Sequence, residues 1–241
     1  MDKNFFKTPV WYSTLASKTF LTTFVQLRKE AVQALADGIT EDDDPQSPVN
    51  ITIADLKEAM GNFLGNSFVS VDCCAPTDTE RFLNKHGAVH SAKSAWKVLA
   101  SSQKVRESAA AGEVEHICIR PYRHMNRTRE FRLFIYEGRL AAMSQYYLIR
   151  HFRRLEGLKD KFLAKAEKFV DEIIWQLPVK TLVIDIYFTS DDEIMIVDIN
   201  PWGMPTQPLM LDTWERDWSQ PAGIVLMPPP ISVSGDVNIS F

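Results

Sequence analysis

Apolar residues recur along the chain with two periods, and the period predicts the element. From Thr19 to Leu35 the positions Phe20, Leu21, Phe24, Leu27, Ala31 and Leu35 fall near helical spacing, and the pattern stops at Asp37-Gly38. This predicts one helix over 19–35. A second is predicted over Thr52 to Leu64, burying Ile53, Leu56, Met60 and Phe63, and a third over Ala92 to Ala100. Residues 159–177 place Phe162, Leu163, Ala166, Phe169, Val170, Ile173, Ile174 and Leu177 on one face, with lysines and acids on the other. Leu209 to Trp218 predicts a short helix. Ser67 to Val71 and HICIR (116–120) read as strands. EFRLFIY (130–136) and RLAAMSQY (139–146) flank Glu137-Gly138, where glycine supplies the positive φ of a tight hairpin turn. TLVIDIYFT and IMIVDIN flank Ser190-Asp-Asp-Glu193 and predict a second hairpin.

Between these elements, residues 40–50 (TEDDDPQSPVN) combine an acidic run with two prolines and no periodicity, the pattern of a solvated loop. The proline-rich end around Pro228, Pro229 and Pro230 reads as extended. The expected organisation is an N-terminal lobe over 1–114 carrying the acidic loop, a second lobe over 115–218, and an extended tail over 219–241.

Composition narrows the function classes. Apolar residues make up 45% and charged residues 24%, the usage of a globular protein. The formal charge of -4 gives no general attraction to nucleic acid, and no such partner is expected. Cys73, Cys74 and Cys118 are too few and too badly spaced for a disulfide framework. The charged start lacks an export signal, and the apolar runs fall far short of the roughly 20 residues that span a bilayer. A cytoplasmic location without membrane contact is expected.

The second hairpin carries the most chemistry. Strand side chains alternate, so Ile194, Ile196, Asp198 and Asn200 share a face. If the turn is an even-numbered loop centred on Asp191-Asp192, residues 190 and 193 pair, and counting inward sets Asp185 opposite Asp198. Like charges so placed destabilise a sheet. Two readings offset the repulsion. Asp185, Asp198 and Asn200 form an all-oxygen set suited to Mg²⁺; otherwise Asp198 and Asn200 cap the strand end before Pro201, and Asp185 pairs with an arginine.

No phosphate-binding glycine motif, G-x-x-x-x-G-K-[ST] or G-x-G-x-x-G, occurs, so any nucleotide must be held by side chains. His116, Arg120, Arg123, His124, Arg127, Arg129 and Arg132 cluster over 116–132, opposed only by Glu130. Arg120 and Arg132 lie on predicted strands, where a guanidinium can be aimed at phosphate oxygens; Arg123, Arg127 and Arg129 lie in the connecting loop, solvated. Ser144, His124 and Cys118 have no triad-like partners, and no catalytic residue is assigned.

These residues carry a resemblance to the cell division cycle protein 123 family of ATP-grasp proteins, over most of the chain. FKTPVWYSTLASKTF and ALADGI look like the family's opening segment. FVSVDCCAPTD resembles F-P-K-L-N-W-S-A-P-x-D, and ICIRPY resembles L-V-L-R-K-W. REFRLFIYEGRLAAMSQY follows E-F-R-x-F-V-x-x-x-x-L-I-x-I-S-Q. LVIDIYFTSDDEIMIVDINPWG tracks F-V-F-D-I-Y followed by V-W-L-I-D-F-N-P-F-G, and DTWERDW resembles T-W-E-E-L.

The resemblance implies an α+β ATP-grasp fold, two lobes with antiparallel sheets and packed helices around a nucleotide cleft. It implies Mg²⁺-ATP as ligand, with Asp185, Asp198 and Asn200 as magnesium ligands. Arg120 and Arg132 match arginines near the nucleotide, Tyr122 takes the place of the tryptophan beside the adenine, and Ala75 lies in the pocket-lining segment. Ser70 and Pro121 stand where the family has lysines, a loss of two cations that Arg123, Arg127 or Lys104 would have to cover. The family's eukaryotic members act as assembly chaperones for translation initiation factor 2 through its γ subunit, which makes a protein partner the first expectation. The alternative is the usual ATP-grasp chemistry, a ligase that passes an acyl-phosphate to a small-molecule amine acceptor.

Overall fold

The computed structural model describes residues 3–230. The chain divides into two units. The first runs to Met125 and takes in Met195–Ile199; the second holds Asn126–Ile194 and the described residues from Asn200 onward.

In the first unit the order is α1 (Thr8–Leu15), β1 (Thr23–Gln26), α2 (Lys29–Asp37), α3 (Pro48–Met60), β2 (Ser67–Val71), α4 (Glu80–Lys85), α5 (Ala92–Ala100), α6 (Gln103–Ala110) and β3 (His116–Pro121). The strands form an antiparallel sheet in the order β1-β3-β2. One face packs Val25, Val69, Val71, Ile117 and Ile119 into a core with Leu35 of α2, Leu56 of α3, Trp96 and Leu99 of α5 and Val105 of α6. Alternation therefore turns Phe68, Ser70, Cys118 and Arg120 to the other face. Ser70 stands opposite Cys118 there, and Phe68 opposite Arg120.

The helix expected over 19–35 is instead a strand followed by a helix, β1 and α2. Thr22, Thr23, Phe24 and Val25 are weak helix formers, and Thr23 to Gln26 pair with Ile119 to His116, so a sheet edge overrides the helical spacing. β3, expected to open the second lobe, is the central strand of this sheet. The acidic loop is exposed from Glu41 to Gln46 as expected. α3 starts before Thr52 because the Ser47 side chain caps it, accepting from the Asn50 N–H at 3.2 Å.

The second unit contains β4 (Glu130–Tyr136), β5 (Arg139–Gln145), α7 (Arg153–Glu156), α8 (Lys159–Ile173), β6 (Leu182–Phe188) and β8 (Gly223–Val225). β7 (Ile194–Asn200) gives its ends to this unit and its middle to the first. The strand order is β7-β6-β4-β5-β8. The tail expected to be extended thus supplies an edge strand, β8, parallel to β5; residues 231–241 of that tail lie outside the described residues.

On one face of β4, Phe131 meets Phe162 of α8 edge-on, and Phe162 stacks on Phe188 with centroids 4.2 Å apart. On the other face Phe134 and Tyr136 pack against Trp202, Trp214 and Trp218. Those tryptophans explain why 209–218 is not the expected helix. Only Leu209–Leu211 turns, as a 3-10 segment ended by Asp212 at φ +61. The rest follows the indole hydrogen bonds from Trp214 to the Thr206 carbonyl and from Trp218 to the Trp214 carbonyl.

The β4–β5 turn is as predicted, with φ +49 at Glu137 and +83 at Gly138, the two positive values of a type I′ turn. A Cβ on Gly138 would meet only ordinary contacts, the nearest at 3.7 Å from Ile174. Gly138→Ala is therefore expected to cost about 1 kcal/mol, from backbone conformation alone. Urea unfolding of the variant measures it; a neutral result would mean that the turn relaxes.

Candidate functional site

Polar residues gather at one end of the β4 face whose other end carries the tryptophans. Glu130 and Arg132 alternate with the apolar Phe131 and Leu133, and the register sets Arg132 between Asp185 on β6 and Ser144 on β5. Arg132 grips Asp185 with both ends of its fork, Nε to Oδ1 at 2.7 Å and Nη2 to Oδ2 at 2.8 Å. Both residues are buried, at 7% and 6% exposure. Arg132 also donates to the Gln207 carbonyl at 2.8 Å and lies over the Tyr146 ring. Asn200 donates from Nδ2 to Asp185 Oδ2 at 3.2 Å. The reading in which Asp185 pairs with an arginine is thus what these residues do, and Asn200 joins them.

Glu130 is 8% exposed. Burial, and after it the negative charge of Asp185, push its carboxyl up to about 8, against the pull of Arg127. Sequence reading noted Glu130 only as an acid among arginines. Its spacing of two from Arg132 was the signal that both share a face.

A second set lies within the first unit. Arg120 on β3 is 8% exposed, donating from Nε to Thr22 Oγ1 at 3.1 Å and from Nη1 to the Val197 carbonyl at 2.9 Å. Burial lowers its pKa, and Asp198 is the group that most opposes this, by favouring the charged form. Asp198 Oδ1 accepts from the Ile199 N–H at 2.9 Å. Ser70 is buried on the Arg120 face of the sheet, Ala75 follows β2 half-buried, and the Tyr122 N–H bonds the Asn66 carbonyl at 2.9 Å.

The structure sorts the remaining cations. Arg129 is half-buried rather than freely solvated. It donates to the Phe188 carbonyl at 3.5 Å and to the Thr189 carbonyl, and pairs with Asp192 at 2.9 Å, so it fastens the second turn. Arg127 lies 5.1 Å from the Tyr147 ring centroid and Arg123 5.9 Å from that of Phe20. Lys104 donates to Thr77 Oγ1 at 2.9 Å.

The second turn corrects one premise. Thr189 N–H bonds the Glu193 carbonyl at 2.9 Å, and Asp192 N–H bonds the Thr189 carbonyl at 3.0 Å, with Asp192 at φ +60. The loop has the odd, three-residue form in which a left-handed residue inserts a bulge. Counting inward from 190 and 193 therefore does not apply. Burial along β7 also departs from alternation, since Ile196 and Ile199, three apart, are its buried side chains.

The oxygens of Asp185 and Asn200 are of the hard type that Mg²⁺ takes. Asp185 offers about four lone-pair sites, of which Arg132 and Asn200 occupy three. Among the described residues no group of three or more His, Cys, Asp or Glu side chains could hold a metal. An ion at Asp185 would thus draw on carboxylate, amide and ligand oxygens, the manner of Mg²⁺. Among the described residues no helix is long and apolar enough to cross a membrane.

The sequence model of the D123 family matches residues 40–217. "Cell division cycle protein 123" of Candida glabrata is 34% identical over 113 residues, 46% of this chain and 31% of that protein. The "Translation initiation factor eIF2 assembly protein" of Vanderwaltozyma polyspora is 35% identical over 106 residues, 43% and 27% respectively. The chain thus aligns with under a third of these curated relatives. The C-terminally truncated Cdc123 of Schizosaccharomyces pombe superposes with a TM-score of 0.77 at 19% identity, covering 92% of this chain and 95% of that one. The fold is mixed helix and sheet, as expected, and is that of the Schizosaccharomyces pombe Cdc123 structure; the second sheet is mixed rather than antiparallel, because β8 runs parallel to β5.

Proposed function

The chain belongs to the D123 family, and from that premise we propose that it binds Mg²⁺-ATP and serves in the cytoplasm as an assembly chaperone for a translation factor of the initiation factor 2 kind. The observation that carries the nucleotide reading is the buried Arg132–Asp185–Asn200 group on β4, β6 and β7. Ionic groups are expensive on an otherwise apolar sheet, and a charged ligand accounts for their presence there. In this reading Asp185, Asp198 and Asn200 hold Mg²⁺, and Arg120 and Arg132 bind phosphate oxygens. Ser70, Ala75 and Tyr122 line the nucleotide. The metal, when bound, neutralises phosphate charge. The two positions without the family's lysines, Ser70 and Pro121, lower affinity rather than abolish it. The partner half of the proposal draws support from the eIF2 assembly name carried by the Vanderwaltozyma polyspora relative.

Mg²⁺ and ATP together are expected to raise the melting temperature by several degrees, because a ligand at about 100 times its Kd adds about 2.7 kcal/mol. Asp198→Ala should remove the Mg²⁺-linked part of that shift. Arg120→Ala should lower affinity, and Arg129→Ala, at a cation already fastened to Asp192, should leave it nearly unchanged. No shift at millimolar Mg²⁺-ATP would end the nucleotide reading. For the partner, purified initiation factor 2 γ subunit should co-elute with the chain. Phosphate release that depends on an added amine acceptor would replace the chaperone reading by the ligase.

A further inference from the structure

Cys73 and Cys74 adjoin in sequence and take no part in the chemistry above. They follow β2, where the chain doubles back so that the Val71 N–H bonds the Cys74 carbonyl at 2.9 Å. The residue before them is anchored: Asp72 is buried, accepts from the N–H groups of Glu115 and His116, and gives its carbonyl to the Thr8 N–H at 2.8 Å. On the other side Cys74 Sγ lies 3.8 Å from Ser108 Oγ on α6. Both thiols are free and half-buried, packed at the margin of the first unit's core. Cys118, the third cysteine, is fully buried.

A strained eight-membered ring would be needed to join adjacent cysteines as a disulfide. A larger bridging atom relieves that strain, and thiolates select soft acceptors. We propose that Cys73 and Cys74 form a vicinal dithiol site that chelates a trivalent arsenical. The step is a condensation: an arsine oxide R–As=O gains two As–S bonds, and its oxygen leaves as water with the two thiol protons. No atom changes oxidation state. Fixed backbone on both sides means that little ordering cost remains when the chelate closes. The electronic setting agrees. A hydrogen bond from Cys74 lowers the pKa of Cys73, favouring the thiolate that attacks first, whereas that of Cys74, the proton donor, is raised. Cys118 is pushed up to about 12 by burial, which keeps it a thiol and out of the reaction.

The test treats the folded full-length chain with phenylarsine oxide and reads intact mass together with the number of titratable thiols. The expected result is one arsenical per chain with the loss of two thiols, resistant to excess 2-mercaptoethanol and reversed by 1,2-ethanedithiol. Cys73→Ser and Cys74→Ser should each abolish the resistant adduct, and Cys118→Ser should leave it intact. Near-identical melting curves for the three variants keep loss of the adduct from being loss of the fold. An adduct consuming one thiol, one stripped by the monothiol, or one that survives Cys73→Ser would overturn the proposal.

Discussion

Arg132→Ala is expected to cost about 3 to 5 kcal/mol of folding stability, read from urea unfolding at pH 7. The reason lies in what the truncation leaves behind. Asp185 is 6% exposed, and among the described residues Arg132 supplies two of its three hydrogen bonds. Without the guanidinium the carboxylate keeps, among the described residues, the Asn200 amide, and desolvation is largely uncompensated. The Gln207 carbonyl loses its donor too. Replacing both members by apolar groups, Arg132→Met with Asp185→Leu, removes the orphaned charge and should recover most of the loss. A single-variant cost below about 1 kcal/mol would mean that another cation moves in to cover Asp185. The same substitution should weaken Mg²⁺-ATP binding by roughly 1.5 to 3 kcal/mol, the range of charge-assisted hydrogen bonds. Because stability and affinity are read separately, one can fail without the other.

Glu130→Gln should stabilise the protein at pH 9 and change little at pH 5. In the unfolded chain the glutamate loses its proton near 4.5, and in the fold near 8. Between those values the folded state holds the extra proton, so the contribution of this group to stability falls as pH rises through the window. Above about 8 the full penalty of a buried charge is present, on the order of 4 kcal/mol. Glutamine has the shape of the protonated acid and no such penalty. Urea midpoints for wild type and variant should converge toward pH 5 and separate with increasing pH. A difference independent of pH would show that Glu130 acts through packing or a hydrogen bond and not through its charge.

Much of this architecture was legible because periodicity is local. Ser67–Val71, Ala92–Ala100, the two β4–β5 strands and the turn at Glu137-Gly138 follow from alternation, helical spacing and a single required glycine. The same rules misread 19–35 and 209–218. In the first, pairing of Thr23 to Gln26 with β3 outweighed a helical pattern; in the second, Trp214 and Trp218 were held by the sheet rather than by a helix of their own. At the site, strand placement singled out Arg120 and Arg132, both buried on strands, whereas the alternation expected to group Asp198 with Asn200 is broken along β7, where Ile196 and Ile199 are the buried side chains. Register across strands was beyond local pattern, since a single left-handed residue, Asp192, made the turn odd.

By itself, then, the sequence determined the helix at Ala92–Ala100, the strand at Ser67–Val71, the two hairpins and the family that the motifs follow. These properties are written in neighbouring residues. The tertiary structure decided the partners: that Asp185 is gripped by Arg132, 53 positions away, and that Arg120 is held by Thr22 and the Val197 carbonyl. It also decided that Glu130 is buried where its proton is retained to about pH 8. Hydrogen-bond choice and desolvation depend on distances between residues remote in sequence, and those distances exist only once the sheets have formed.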